Sequence, residues 1–366
     1  MTPVVNHQYK YLFLYSAKVG CTSLRQLYLA LHFDELTSEQ QQKLDRYHNI
    51  NEIQPAEFGR DYSDYFSYII TRNPYPRIVS AYLDQYVYAR SEAVERMFDE
   101  FANGARPNNF VEFLDTLKDI PDECRDSHFQ SQSCCGFAPH MITKQNKKFR
   151  YFGIRPEGAF AIDFFGDIGD FNEHMIKVYR RIFKSDQNKL KQALAALEQL
   201  KKHNSSFYGS ADFNDAAQLT VSELDELVFA PKPQDFYRSE KVVQLVNQIY
   251  QHDFLNFAYT EGDIPVKPKS KEIELVPEDF DWKMYIRLNP DLPADEIYNE
   301  RGAVRHFLEF GRFEEHLRAF KIEAPEGFDW QRYLSLHADL REAGINSESA
   351  AIEHYISYGI RELRKF

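Results

Sequence analysis

The sequence predicts an α/β fold followed by a small, mainly helical C-terminal repeat domain. Two observations predict it. Over roughly the first 260 residues, short β-branched and aromatic runs alternate with segments of helical period. Beyond them, the string FDWKMYIRLNPDL from Phe280 returns as FDWQRYLSLHADL from Phe328, at an offset of 48 residues. Strand, loop and helix in repeated succession imply a central parallel sheet with helices on its faces, and ligands then bind at the carboxyl ends of the strands.

The elements follow in order. YLFLY at Tyr11–Tyr15 reads as a buried strand leading to a helix over 22–31. YFSYIIT at 65–71 is the second strand, with a helix over 76–88, and AFAIDFFG at 159–166 leads into the helical FNEHMIKVYRRIF. The segment 261–278 holds three Pro, mixed charge and no apolar period, as a linker does. The expected division is therefore an α/β domain over 1–262, a linker over 263–278 and two 48-residue helical repeats over 279–366. The repeat register continues without gaps: His306 falls on His354, Phe307 on Tyr355 and Gly311 on Gly359. One such unit cannot bury its apolar face alone, so pairing of the two and docking on the first domain are expected. Trp282 and Trp330 occupy the same repeat position and read as fold contacts in preference to glycan platforms.

Composition limits the function. With 43% hydrophobic and 27% charged residues the chain is an ordinary globular one. A net charge of −12 argues against nucleic acid, which requires a basic footprint. Half of that charge comes from 278–366, with 18 acidic and 12 basic residues, so any anionic ligand needs a local site in the first domain. No apolar run is long enough for a transmembrane segment, and the first residues do not read as a secretory leader. The four Cys match neither a disulfide scaffold nor a zinc pattern; a reducing cytoplasm suits them, with Cys134 and Cys135 read as buried apolar residues.

Two loops carry chemistry. After the first strand, Ser16-Ala17-Lys18-Val19-Gly20-Cys21-Thr22-Ser23 enters a helix. A small-residue turn there aims unpaired N–H groups and the positive end of the helix dipole at one point, and Lys18 adds a full charge. Gly20 permits close backbone approach, while Thr22 and Ser23 can cap the helix or donate hydroxyls. Taken alone the loop reads equally as a plain capped turn. It is not a Walker loop, in which Lys follows the second Gly. After the second strand comes Arg72-Asn73-Pro74-Tyr75-Pro76-Arg77, with Ser80 two turns into the next helix. An Arg fork with a hydroxyl suits a phosphate monoester. Two anion sites on neighbouring strand ends suggest a nucleotide with phosphates on opposite sides of its ribose.

SAKVGCTSLR and TRNPYPRIVSAYLD together resemble the paired 5′-phosphosulfate and 3′-phosphate signatures of sulfotransferases that use 3′-phosphoadenosine-5′-phosphosulfate (PAPS), most of all the branch that includes Golgi carbohydrate sulfotransferases. DSHFQSQ (126–132), IDFFGDIGDF, HNSSFY (203–208) and IYQHDFLNFAY (249–259) resemble later segments of that branch in the same order. Phe129 stands where Trp is usual, Ser131 where Pro is usual and Asn73 where Asp is common. The resemblance implies a P-loop-like three-layer fold. It also implies that Lys18, Gly20, Cys21, Thr22 and Ser23 hold the phosphosulfate and that Arg72 and Ser80 hold the 3′-phosphate.

Sulfuryl transfer needs an in-line acceptor oxygen, a base for its proton and positive groups on the leaving phosphate. Lys18 is the expected leaving-group stabiliser, and no metal is expected. Among twelve His, His48 is the first choice of base, since relatives often place a His near the acceptor, and His128 is the second. His306 and His354 are set aside by their repeat positions. Tyr82, Tyr86 and Tyr88 are rings that could face a sugar, with core packing an equal reading. The expected acceptor is a glycan or lipid-linked saccharide, in a bacterial cytoplasmic enzyme. The rival readings are a transferase with an ATP-type donor and an inactive glycan-binding protein.

Overall fold

The computed structural model describes residues 2–32, 64–133, 163–200, 213–257, 259–266, 276–277, 279–295, 297–314 and 318–366. They fall into two compact units. The first takes the described residues up to 200, then 213–226 and 231–266; the second takes 227–230 and those from 276 onward. Among the described residues, no helix is long and apolar enough to cross a membrane.

The first unit is built on a four-stranded sheet in the order β1 (Thr2–Asn6), β2 (Tyr11–Tyr15), β3 (Phe66–Thr71) and β4 (Phe164–Asp167). β2, β3 and β4 run parallel, with Phe13 opposite Tyr68 and Tyr68 opposite Phe164. This central part matches the strand, loop, helix reading. β1 is an addition: it pairs antiparallel with β2, Val4 opposite Phe13. A tight turn joins them, in which the Asn6 side chain accepts from the Tyr9 N–H at 2.8 Å and Lys10 takes a φ of 50°.

All five residues of β2 are buried, which explains an uninterrupted apolar run in place of alternation. Phe13 and Tyr68 stack at 5.4 Å on one face. There they meet Leu24, Leu27 and Leu31 of helix α1 (Cys21–His32) and Met175, Val178 and Tyr179 of the helix Phe171–Ile182. Strand alternation sends Leu12, Leu14 and Ile69 to the other face, where they are equally buried.

A second concentration of rings accounts for much of the aromatic content. Helix α2 (Pro74–Ala81) runs into a π-helical stretch, Tyr82–Tyr88, and Tyr82 packs at 4.9 Å from Phe110 and 5.0 Å from Phe113. Phe113 in turn lies 5.1 Å from Phe129. Tyr82 and Phe129 are fully buried, so Tyr82 is a core residue and no sugar platform, and Phe fills the position where Trp was the usual residue. Tyr86 is half-buried and donates to the Pro107 carbonyl at 2.7 Å.

In the second unit, corresponding elements lie 48 residues apart. Helices Trp282–Leu288 and Trp330–Leu336 are capped by Asp281 and Asp329, each accepting from two backbone N–H groups. Tyr285 contacts His306 Nδ1 at 2.8 Å, as Tyr333 contacts His354 Nδ1 at 2.9 Å. A Cβ on Gly311 would overlap the Tyr285 hydroxyl, and one on Gly359 the Tyr333 hydroxyl. The two His are thus engaged inside their own units. Trp282 and Trp330 are half-buried against the clusters around Tyr285 and Tyr333. Val228 and Phe229, from far upstream, complete the first of these clusters.

Candidate functional site

β2 ends at Tyr15 and α1 begins at Cys21, so residues 16–20 make the whole turn. Lys18 and Gly20 both adopt left-handed backbone, φ 66° and 76°. For a residue with a Cβ that costs roughly 1–2 kcal/mol, so neighbours must hold Lys18 in place. Its carbonyl accepts from the Arg72 guanidinium at 3.1 Å, and the Ala17 carbonyl accepts from Arg77 Nε at 3.1 Å. Gly20 is required twice over, because a Cβ there would also stand 2.7 Å from Ile168 Cδ1. The Leu24 N–H takes the Gly20 carbonyl at 3.0 Å. The N–H groups of Cys21, Thr22 and Ser23 therefore precede the helical ladder, at the positive end of the dipole. The Lys18 ammonium, 19% exposed, is ion-paired with Asp84, which is 39% exposed.

The second loop is tied down from below. Gln132 is completely buried and occupies both backbone groups of Arg72: its Oε1 accepts the N–H at 2.8 Å and its Nε2 donates to the carbonyl at 2.8 Å. Gln132 rests in turn on Asp253, whose Oδ2 accepts the Gln132 N–H at 2.8 Å, while Oδ1 accepts from the Ser133 N–H at 2.8 Å and hydroxyl at 2.9 Å. Burial pushes the Asp253 carboxyl above its ordinary value, against the pull of nearby Arg77 and of these donors. Arg77 itself is 1% exposed. Its Nη1 and Nη2 have no hydrogen-bond partner among the described residues, and its guanidinium lies 5.8 Å from the centre of the Tyr250 ring. A buried positive charge thus sits beneath the first loop. Asn73, where Asp is common in the resembling branch, caps α2 by accepting from the Tyr75 N–H at 3.0 Å.

The expected site residues separate into four groups. Lys18 and Arg72 are joined directly, with Gly20, Cys21, Thr22 and Ser23 following on the same loop and first helical turn. Ser80 lies two turns into α2, half-buried. His48 lies outside the described residues, as do Cys134, Cys135 and HNSSFY. His128 is in the segment leading to Gln132, where Asp126 Oδ1 holds both its ring Nδ1, at 2.7 Å, and its backbone N–H, at 3.0 Å. Burial works to raise the Asp126 carboxyl, but these contacts outweigh it and leave the group below its ordinary value.

Residues 2–151 match the family model described as the sulfotransferase family. The chain carries a sulfotransferase-family domain. No curated protein and no solved structure matches the chain. The matched region takes in both loops, α1, α2 and Gln132. β4 and Asp253 come from beyond it, yet complete the sheet and the support under Arg72. Tyr259 does likewise at the strand ends, contacting Thr71 Oγ1 at 2.8 Å and Asp167 Oδ2 at 2.5 Å, with burial first among the causes that raise its phenol.

Four residues of this assembly were not singled out by sequence. All four stood inside motifs noted in the sequence, but nothing local marks which motif positions turn inward. Asp84 and Asp253 matter through partners distant in the chain, Lys18 and Gln132.

Proposed function

We propose that the protein is an O-sulfotransferase that moves a sulfuryl group from PAPS to a hydroxyl of a glycan. The observation that carries this reading is the hydrogen bond from Arg72 to the Lys18 carbonyl, which joins two anion loops at the ends of neighbouring parallel strands in a domain of the sulfotransferase family. In this reading Lys18 and the N–H groups at Gly20, Cys21, Thr22 and Ser23 hold the 5′-phosphosulfate, and Arg72 and Ser80 hold the 3′-phosphate. The residues suit such a donor: the turn has no room for a side chain at Gly20, and the buried Arg77 charge favours an anion above it.

When bound, PAPS supplies the electrophilic sulfur and a phosphate leaving group. Lys18 and the α1 N-terminus offset the negative charge that grows on that phosphate, at fixed positions that need no reorganisation. Arg72, held at both backbone groups by Gln132, fixes the nucleotide in register. The sequence offers His48 or His128 as the proton acceptor, and Asp126 orients the latter. The acceptor class rests on the resemblance to carbohydrate sulfotransferases.

Thermal unfolding with 3′,5′-bisphosphoadenosine tests the donor site. A hundredfold excess over Kd should add about 2.7 kcal/mol of stability, and labelled sulfate should pass to members of a glycan panel. Lys18→Ala should abolish transfer while the protein remains folded. Stabilisation by ATP with none by the bisphosphate would overturn the reading.

A further inference from the structure

The geometry points to Asp84 as the group that takes the acceptor's proton, a role the sequence assigns to His48 or His128. This rests on the donor-site reading above. Asp84 lies four residues beyond Ser80, in the π-helical stretch, where its carbonyl accepts from the Ala89 N–H five residues on at 3.0 Å. Widened turns of this kind occur often at functional sites. Its carboxylate is ion-paired with the Lys18 ammonium, and the same Oδ2 accepts from Gln85 Nε2 at 2.6 Å.

A carboxylate against the principal cation of a site for an anionic donor works against binding, since like charges repel. Its placement calls for a role in the reaction. The pair is reachable from solvent, with Asp84 39% exposed, so a substrate hydroxyl can approach it. Lys18 is the cation that must stand beside the leaving oxygen, and a group in direct contact with it lies within a few ångströms of the transferring sulfur.

Donor binding draws Lys18 onto the phosphosulfate, and Asp84 Oδ2 exchanges the ammonium for the acceptor hydroxyl. In the transfer step the acceptor oxygen forms a new bond to sulfur. The bond from sulfur to the 5′-phosphate oxygen breaks, its electron pair staying on that phosphate beside Lys18. The hydroxyl proton passes to Asp84. One contact thus keeps cation and base together until the donor separates them.

The test compares wild type with Asp84→Asn, Asp84→Glu and His128→Ala. Bisphosphoadenosine affinity is read by calorimetry and turnover as bisphosphate release from PAPS, with chondroitin and heparosan oligosaccharides or water as acceptor. Asp84→Asn should bind bisphosphoadenosine as tightly as wild type or up to about fivefold tighter, because a competing ion pair is lost. Its turnover should fall roughly 100-fold or more, and Asp84→Glu should recover part of it. Unchanged turnover in Asp84→Asn, with loss in His128→Ala, overturns the assignment. Weakened bisphosphoadenosine binding in Asp84→Asn also overturns it, since Asp84 would then only order the loop. A wild-type protein that does not bind bisphosphoadenosine overturns the donor-site reading itself, an outcome seen before any variant is compared.

Discussion

Gln132 shows how much one buried amide can hold. It satisfies both main-chain groups of Arg72 while its own N–H rests on Asp253. A buried polar group left without its partner costs about 1–3 kcal/mol. Gln132→Ala should therefore loosen Arg72 in particular, at the position read as the 3′-phosphate site. The expected result is about a tenfold weaker binding of 3′,5′-bisphosphoadenosine, with adenosine 5′-monophosphate affected far less. Calorimetric titration with the two ligands checks this. An equal loss for both would mean that Gln132 only supports the fold. Of these contacts the sequence showed the Arg and its loop; the amide beneath it was legible only as a letter in a motif, because burial of Gln132 is decided by what packs around it.

Elements were readable to the extent that their signal is local. β2 and β3 announce themselves as apolar runs because both faces of the sheet are covered. α1 and the helix Phe171–Ile182 follow from their period, and both reach within a residue of the expected ends. β1 has no such signal: TPVVN is five residues long and becomes a strand by pairing with β2. The helix expected over 76–88 begins at Pro74 and turns π-helical at Tyr82, a change of hydrogen-bond register that no residue type announces. In the second unit, Asp281 and Asp329 make the same double cap. Replacing either with Ala should destabilise its own helical pair by about 1 kcal/mol. Urea unfolding of the single variants and the double variant reads the effect, and independent units require the two losses to add.

The chain as a whole is less separable than its linear order implies. A cut near residue 267 separates the repeats from the preceding sequence, but Val228 and Phe229 pack with Tyr285 and Phe307, and the Leu227 carbonyl accepts from Arg301 Nε at 2.7 Å. A fragment ending at residue 267 would leave these two apolar side chains uncovered, a condition that promotes association. Its expected behaviour is self-association on gel filtration, relieved by Val228→Ser with Phe229→Ser, while bisphosphoadenosine binding survives in both forms. A monomeric fragment without the two substitutions would show that the contact is dispensable.

The sequence by itself determined the succession of strand, loop and helix, the small-residue loop that carries Lys18 and the loop that carries Arg72, and the offset of 48 residues that governs the C-terminal part. These are properties of short segments: apolar period sets which face is buried, and small residues before a helix let the chain turn tightly into it. Only the tertiary structure decided which loop meets which. Lys18 reaches Arg72 across 54 residues and Asp84 across 66, and Gln132 reaches Asp253 across 121. Such contacts are settled by how the helices pack on the sheet, a balance summed over the entire core, and no local pattern of residues records its outcome.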